Sequence, residues 1–255
     1  FKQKTAYEIP LRLVGSEMCI RDRIDIDLVN DEDTMAGHFL HILHGKEPSD
    51  LHRKVMDVSL ILYAEHEFNA STFTARVCAS TMSDIHSCVV AAIGSLRGPL
   101  HGGANEKAME LIENWTSKEE AKSNIIEMLE KKEKVMGFGH AVYSIKDPRN
   151  AVIKDYAKQL SELAENDTLY IVAEEVEKVM ADEKKMFANA DFFHAPAYFY
   201  MGIPTMLFTP IFVMSRVSGW AAHCMEQRSN NRIIRPSADY IGVETSDWVD
   251  ISERS

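Results

Sequence analysis

Three short segments of the chain place an ionisable side chain among glycines or aromatic residues. They are GPLHGGAN around His101, GFGHAVYSIKDPR around His140 and NADFFH around Asp191. Glycine allows a ligand to approach the backbone closely, and loops on a rigid scaffold commonly carry catalytic groups. A single histidine between glycines is more often structural, but two histidines and a carboxylate suffice to move a proton in both directions. The three segments therefore indicate a site that transfers protons.

The stretches between these segments are predicted to be helices. Apolar residues recur at helical spacing with charged residues on the opposite face, and alternation with a period of two is rare. Glycine and proline interrupt the pattern at 45–48 and at 202–204. The sequence therefore predicts an all-α protein. Its helical patterns cover the ranges 34–44, 50–62, 86–96, 104–115, 119–132, 151–163, 169–187 and 206–217.

The composition argues against several classes of protein. The chain of 255 residues has 28 basic and 39 acidic residues, a formal net charge of −11, whereas nucleic-acid-binding domains usually carry a basic stripe. It contains no run of about 18 apolar residues, so no conventional membrane-spanning helix is predicted. The four cysteines lack CxxC spacing. This favours reduced thiols and a cytoplasmic location over a zinc ribbon or a disulfide framework.

A metal site is not expected from the histidine-rich run HFLHILH. This run spaces His38, His41 and His44 three residues apart, so the first and the last diverge by about 120° around a helix. The arrangement differs from the i, i+4 pair of the HExxH zinc motif. Cys224, beside His223, is interpreted as a core residue rather than as a nucleophile.

The first 23 residues are interpreted as translated adapter rather than as natural protein sequence. Back-translation of residues 2–9 gives a sequence that resembles a flow-cell primer of short-read DNA sequencing, and residues 14–23 resemble a transposase adapter. Segments of this kind are set aside before the fold is considered. The alternative is an amphipathic leader or targeting peptide. On the adapter interpretation the natural sequence begins near Ile24, and upstream protein is missing.

Five ordered segments of the chain resemble the citrate synthase family. They are the three segments above together with YAEHEFNASTFTARV (63–77) and EQRSNNRIIRPSADYIG (226–242), and these two resemble the bacterial 2-methylcitrate synthase branch in particular. The resemblance covers residues 24–255 and implies an all-helical fold in which a small domain closes over the substrates. It implies a first part of the large domain at 24–102, the small domain at 103–202 and the rest of the large domain at 203–255.

The resemblance implies a Claisen-type condensation of a CoA thioester with oxaloacetate. Asp191 is expected to remove a proton beside the thioester carbonyl, and His101 to hold that carbonyl as a neutral donor while it becomes an enol. His140 is expected to protonate the oxaloacetate carbonyl. Phe192 and Phe193 are expected to exclude water and to raise the basicity of Asp191 by desolvation. The alternative for Asp191 is structural, with its side chain capping the following helix.

The same resemblance implies the residues that bind the substrates. Arginines suit the carboxylates of oxaloacetate because a guanidinium pairs with them bidentately, and Arg216 lies in an apolar stretch where an unpaired charge is costly. Lys131, Lys132 and Lys134 either meet CoA phosphates or form a solvated helix face. The implied oxaloacetate ligands are His66, Arg149, Arg216 and Arg235, and the implied CoA-binding backbone is Lys134, Val135, Met136, Gly137 and Phe138.

The favoured reaction joins propionyl-CoA, oxaloacetate and water to give 2-methylcitrate and CoA, with the thioester as substrate and no cofactor. Citrate synthesis from acetyl-CoA is the nearest alternative, since one methylene in a pocket changes binding by only about 1–3 kcal/mol. The implied partner is a second copy of the chain, in a homodimer whose shared site receives Arg235 from the other subunit.

Two further alternatives involve no turnover. A helical interaction module is disfavoured because it would need no such constellation of histidines, arginines and aspartate. The other is an inert fragment: with upstream helices missing, apolar faces between 34 and 96 would be exposed. Large exposed apolar patches drive association, so for the fragment we expect aggregation and no release of CoA.

Deletion of residues 1–23 is expected to leave the free energy of unfolding unchanged, since an adapter-derived segment contributes nothing to an evolved core. The measurement is thermal unfolding of both versions, with and without this segment, in the context of the full domain and under matched conditions. A loss above about 1 kcal/mol, the size of an ordinary single-site effect, would contradict the adapter interpretation.

Overall fold

The computed structural model describes residues 34–242, 244 and 247–254, and the regular structure within them is helical. The described part contains ten α-helices: α1 (Met35–His44), α2 (Asp50–Ala64), α3 (Ala70–Ser80), α4 (Ile85–Leu96), α5 (Ala104–Ile112), α6 (Lys118–Glu130), α7 (Pro148–Leu163), α8 (Thr168–Lys184), α9 (Ala190–Tyr200) and α10 (Phe208–Ser229). Short 3₁₀ turns occupy Thr205–Leu207 and Ile251–Glu253. The all-α prediction is confirmed, and the segment 1–23 lies outside the described residues.

Two helices, α3 and α9, are absent from the sequence prediction. Helix α3 is rich in alanine, serine and threonine, so it shows little apolar periodicity. Helix α9 has eight buried residues among its eleven and contains Pro196, so it has neither a polar face nor an uninterrupted helical sequence. Helices buried on most sides give no amphipathic signal. Both missed helices carry residues of the site.

Helix ends also differ from the sequence prediction where a local signal acts. Helix α8 stops at Lys184 because Lys185 takes a left-handed conformation with φ of 56°, which a continuing α-helix does not tolerate. Helix α10 continues to Ser229, well past the predicted end at 217. Its second half buries Gly219, Trp220 and Cys224 against the rest of the chain.

Side-chain caps start seven of the ten described helices. In each case an oxygen before the first helical residue accepts a hydrogen bond from a backbone N–H of the first turn, which satisfies a donor that the helix itself cannot. The capping residues are Thr34, Ser49, Asn69, Asp84, Ser117, Asp147 and Asn189. Three of them, Asn69, Asp147 and Asn189, lie beside the residues predicted to do chemistry.

The described helices pack chiefly in two groups. In the first group α10 contacts α2, α3 and α4, α3 also packs against α4, and α1 lies against α2. In the second group α9 packs against α5 and α7, α8 contacts all three, and α6 lies against α8. The groups meet where α2 contacts α7 and α9, and where α10 contacts α5. The domain boundaries at 103 and 202 stay predictions.

Helix α10 approaches the end of α2 at a glycine. A Cβ atom at Gly219 would overlap the carbonyl oxygen of Ala64 and lie 3.3 Å from the Cα atom of Glu65. Only a residue without a side chain allows this approach. The contact fixes where α2 ends and the following segment, which carries His66, begins.

Gly219→Ala is expected to lower the free energy of unfolding by about 1–3 kcal/mol, the usual cost of overpacking, because the added methyl group meets backbone rather than a flexible side chain. The measurement is denaturant-induced unfolding. Ser218→Ala, at the exposed neighbouring position of the same helix, is the control and should change stability by less than about 0.5 kcal/mol. Equal stabilities for the two variants would contradict the close approach.

Candidate active site

A single large cavity collects most of the predicted site residues. Its volume is about 1160 Å³, and its wall includes residues from the two groups of helices. The predicted residues that line it are His66, His101, Lys132, Lys134, Val135, Met136, Gly137, Phe138, His140, Arg149, Asp191 and Arg216. Residues separated by more than a hundred positions in the sequence therefore share one wall.

Asp191 lies in the first turn of α9, facing this cavity. The cap of the helix is Asn189, whose side chain accepts from the N–H of Asp191, so the alternative in which Asp191 is the cap is wrong. Its Oδ1 accepts a hydrogen bond of 2.8 Å from the hydroxyl of Tyr63. Burial raises the pKa of Asp191 to about 6, although Tyr63 and Arg149 oppose the rise. The carboxylate is thus a stronger base than an exposed aspartate while remaining ionised at neutral pH.

The loop that carries His140 is fixed to the start of α9. The N–H of Asn189 donates to the carbonyl of Gly137, and the side-chain amide of Asn189 donates to the carbonyl of Gly139. Gly137 has a φ of +87°, and a Cβ there would lie 2.9 Å from Phe192. Both the positive φ and the close approach to Phe192 require glycine at this position. Asn189 therefore sets the position of His140 relative to Asp191.

His140 is held as a hydrogen-bond donor toward the cavity. Its Nδ1 faces the backbone N–H groups of Val142 and Tyr143, at 3.0 and 3.2 Å. Backbone N–H groups can only donate, so Nδ1 is an acceptor and the neutral ring carries its hydrogen on Nε2. Burial, His66 and Arg149 lower the pKa of His140. Nη2 of Arg149 also approaches Nε2, at the longer distance of 3.4 Å. A neutral ring accepts at one nitrogen only, and the two shorter backbone contacts assign that role to Nδ1. Nε2 and Nη2 are then two donors side by side, where an acceptor could bind.

His101 is oriented by Ser71 in a similar way. The N–H of Ser71 donates to Nε2 of His101 over 3.3 Å, and the Ser71 hydroxyl lies 2.8 Å from the same nitrogen. The hydrogen of the neutral ring is therefore on Nδ1. Burial, with a smaller effect of Arg216, lowers the pKa of His101 to about 4. Trp220 donates to the Ser71 hydroxyl, so the orienting serine is itself fixed.

Asp147 joins Arg149 to helix α9. Its carboxylate is fully withdrawn from solvent and pairs bidentately with the Arg149 guanidinium, at 3.0 and 2.7 Å. It also accepts from the N–H groups of Arg149 and Ala190. Burial opposes its charge, but the hydrogen bonds and charge of Arg149 keep the pKa of Asp147 below its ordinary value. Arg149 is thereby held rigidly at the cavity wall.

Arg216 brings a buried cation to the same cavity. Its side chain is almost fully buried, its Nε donates to the carbonyl of Tyr63 over 2.7 Å, and its guanidinium lies 4.7 Å from the ring centre of Phe212. Burial, with a smaller effect of Arg149, lowers the pKa of Arg216 to about 10. Among the described residues its Nη1 has no hydrogen-bond partner. A buried cation with an unused donor is a site for an anion.

His66 stands beside His140 in the segment between α2 and α3. The two ring centres are 4.9 Å apart, and Nε2 of His66 lies 3.2 Å from the hydroxyl of Tyr143. The side-chain amide of Asn69 donates to the carbonyl of His66 while its oxygen caps α3 and accepts from the Ser71 hydroxyl. Asn69 thus couples the positions of His66 and His101.

Two predicted residues lie away from this cavity. Arg235 is exposed in the segment after α10 and does not contribute to the cavity wall. Lys131 pairs with Glu127 one turn earlier, as in the solvated-face alternative. The roles predicted for the other site residues stay predictions, and the structure brings those residues together.

The chain matches the sequence family described as citrate synthase, C-terminal domain, over residues 13–237. It is 64% identical over 233 residues to 2-methylcitrate synthase of Shewanella oneidensis, and this alignment covers 91% of the chain and 62% of that protein. The chain belongs to the citrate synthase family. Because the match begins inside the segment interpreted as adapter, that interpretation stays a prediction.

The chain is also similar to citrate synthases of known sequence or structure. Citrate synthase 2 of Bacillus subtilis is 49% identical over 221 residues, which is 87% of this chain and 59% of that protein. The citrate synthase of Thermoplasma acidophilum has been solved as a ternary complex with two ligands.

 

That Thermoplasma structure contains carboxymethyl coenzyme A and oxaloacetate; it superposes with a TM-score of 0.82 at 34% identity, covering 88% of this chain and 61% of that one. The chain therefore spans about three fifths of the length of these relatives. The alignments support the citrate synthase fold over the described helices.

Tyr63, Ser71 and Asp147 are among the residues of this citrate synthase family site that were not predicted from the sequence. Tyr63 and Ser71 lie inside a segment whose resemblance was recognised. Their roles come from hydrogen bonds to Asp191 and His101, and neither the residue type nor the spacing in the sequence indicates such contacts. Asp147 had a usable signal: an acidic residue directly before a proline at a helix start, with Arg149 two positions later. That pattern favours a capping carboxylate that also pairs with the arginine.

The remaining sequence predictions concern metal ions, thiols and membranes. Within the described ranges, no group of three or more histidine, cysteine or acidic side chains is arranged to hold a metal ion. Cys78, Cys88 and Cys224 are unpaired thiols, and Cys224 is buried, as a core residue should be. Among the helices described, none is both long enough and apolar enough to cross a membrane.

Asp147→Asn is expected to lower the free energy of unfolding by about 3 kcal/mol, because removing one partner leaves the other charge of a buried pair uncompensated. The measurement is denaturant-induced unfolding near neutral pH. Asp155→Asn, an exposed position on the adjoining helix α7, is the matched control and should have little effect. A change at Asp147 no larger than at Asp155 would contradict the role given to the buried pair.

Proposed function

We propose that this chain carries the chemistry of an enzyme that condenses propionyl-CoA with oxaloacetate and water, giving 2-methylcitrate and CoA. The observation that carries the proposal is the convergence of a base, two neutral histidine donors and two arginines on one cavity. The identity of 64% to the 2-methylcitrate synthase of Shewanella oneidensis supports the choice of thioester. No cofactor is needed, because the thioester itself activates the carbon that reacts.

At the thioester end, Asp191 removes a proton from the carbon beside the carbonyl. The pKa of Asp191, raised to about 6 by burial, suits a base that works near neutral pH. His101 donates from Nδ1 to the carbonyl oxygen as negative charge develops there. A neutral donor serves here because the lowered pKa of His101 keeps its ring uncharged.

At the keto-acid end, Arg149 and Arg216 bind the carboxylates of oxaloacetate, and His66 and His140 contact its carbonyl side. The enol carbon attacks the carbonyl carbon, a carbon–carbon bond forms, and the carbonyl oxygen takes a proton from Nε2 of His140. Water then cleaves the thioester, which releases CoA and leaves a carboxylate on the product. The unused donor on Arg216 supports an anion at this position.

The CoA thioester is proposed to enter along residues 134–138, which line the cavity beside Lys132. The backbone of this segment is fixed to α9 by the hydrogen bond from the N–H of Asn189 to the carbonyl of Gly137. Lys132 and Lys134 provide positive charge for the phosphates. A cytoplasmic location is proposed with this substrate, in line with the unpaired thiols of the described chain.

We also propose a homodimer whose active site is shared. Arg235 is exposed and away from the cavity of its own chain, as expected for a residue that acts in the other subunit. Helix α4 offers a face for close helix packing, with uncharged side chains at Ser87, Val90, Ala91 and Gly94. Val90 is 59% exposed, and a Cβ at Gly94 would contact nothing within 4 Å.

The proposed reaction is tested on the full-length protein by release of CoA in the presence of oxaloacetate. We expect a higher kcat/KM with propionyl-CoA than with acetyl-CoA, and a kcat/KM that falls as the pH drops through about 6, where Asp191 becomes protonated. A preference for acetyl-CoA would instead favour citrate synthesis.

Asp191→Asn should lower kcat by at least about 100-fold, with little change in the affinity for oxaloacetate. The control Asp155→Asn should leave both kcat and this affinity unchanged.

The shared site is tested by mixing two inactive variants, Arg235→Ala and Asp191→Asn. Mixed dimers would contain one intact site, so co-expression should restore about a quarter of wild-type turnover, since half of randomly formed dimers are mixed and half of their sites are intact. Recovery would be absent if each chain supplied its own Arg235. Size-exclusion chromatography of both variants checks that each still forms dimers.

A further inference from the structure

Tyr63 is held between two flat rings. On one side lies Phe212, with ring centres 4.0 Å apart and planes 24° apart, and on the other lies His194, at 4.1 Å and 26°. Tyr63 is almost fully buried. A ring stacked on both faces cannot rotate or tilt freely, so the direction of its hydroxyl is fixed by its neighbours.

His194 uses only one of its two ring nitrogens for hydrogen bonding in the described chain. It is fully buried, its Nδ1 donates to the carbonyl of Ala190, and among the described residues its Nε2 has no hydrogen-bond partner. Burial lowers the pKa of His194 to about 3, so its ring stays neutral. An unpartnered buried nitrogen is unfavourable. The property of the side chain that its surroundings use is its flat face.

Tyr63 contacts α9 at two points. Its ring face lies on His194, and its hydroxyl donates to Asp191, three residues earlier on the same helix. Residues three apart lie on one face of an α-helix. The stack on His194 fixes the position of the Tyr63 ring. The ring position in turn determines how well the Tyr63 hydroxyl reaches Asp191.

We propose that His194 is a positioning residue, whose ring holds Tyr63 so that the Tyr63 hydroxyl donates to the base Asp191. The inference rests on the proposed function for the role of Asp191 as a base. The other charged groups that face Asp191 are Arg149 from α7, Arg216 from α10 and Asp147 before α7. In the described chain none of these three is hydrogen-bonded to His194, whereas Tyr63 stacks on His194 and donates to Asp191, so Tyr63 is the direct contact between the two.

The test compares His194→Leu with His194→Phe. Both variants lose the hydrogen bond to Ala190, but only phenylalanine keeps a flat ring against Tyr63. The readout is the ionisation of Asp191, followed by NMR in protein labelled with ¹³C at aspartate carboxyl groups and assigned with Asp191→Asn. This measurement needs no turnover, so it stays informative even if the proposed reaction fails.

The leucine variant is expected to raise the midpoint of Asp191, since a donor that stabilises its charged form is displaced, and the phenylalanine variant to leave it unchanged. Tyr63→Phe, which removes the hydroxyl, sets the upper limit at about 1–2 pH units, the size of one hydrogen bond to a charged group. In active protein, the acid limb of kcat/KM should move in the same direction. If the leucine variant does not fold, His194→Met provides the same comparison.

The combination with Tyr63→Phe decides whether His194 acts through Tyr63. In that background the leucine variant is expected to cause no further shift, because the two changes remove one interaction. Equal shifts in the leucine and phenylalanine variants would assign the effect to the Ala190 hydrogen bond and overturn the proposal. Additive shifts, or no shift in the leucine variant, would overturn it as well.

Discussion

Asp147 carries a carboxylate that is withdrawn from solvent yet accepts hydrogen bonds from the Arg149 side chain, the Arg149 backbone and the backbone of Ala190. Helix α7 begins beside it and α9 begins at Ala190, so one buried charge sets two helix starts and one guanidinium. Arg149 faces the cavity from α7, and Asp191 faces it from α9. One carboxylate therefore joins the arginine proposed to bind an anion to the helix that carries the proposed base.

The histidines of the site show a second constraint, which is imposed by the backbone. His140 accepts at Nδ1 from two backbone N–H groups, and His101 accepts at Nε2 from the N–H of Ser71. In each ring the remaining nitrogen must carry the hydrogen, so both rings are donors without being charged. Burial supports this by lowering both pKa values. Helix and loop geometry thus decides the tautomers before any substrate binds.

Much of this arrangement could be predicted from the sequence, and the rest depends on contacts that leave no local pattern. The amphipathic helices, the glycine-flanked histidines and Asp191 are marked by periodicity and composition. Helix α9 is missed because it is buried on most sides, and Tyr63 because its role comes from a hydrogen bond to a residue 128 positions away. Arg235, which the resemblance assigns to the site of a second subunit, lies exposed outside the cavity of its own chain, and that role stays a prediction.

The electrostatics of the cavity link the two ends of the proposed reaction. Burial raises the pKa of Asp191, while Arg149 and Arg216 lower it. The same two arginines are the proposed ligands of the oxaloacetate dianion. The negative charge of the bound dianion would weaken the effect of the arginines on the pKa of Asp191. Bound keto acid would therefore make Asp191 a stronger base, because its pKa would rise while its contact with Tyr63 still favours the ionised form. On the proposed function, two cations shared between the base and the anion site would couple substrate binding to proton removal through their charge.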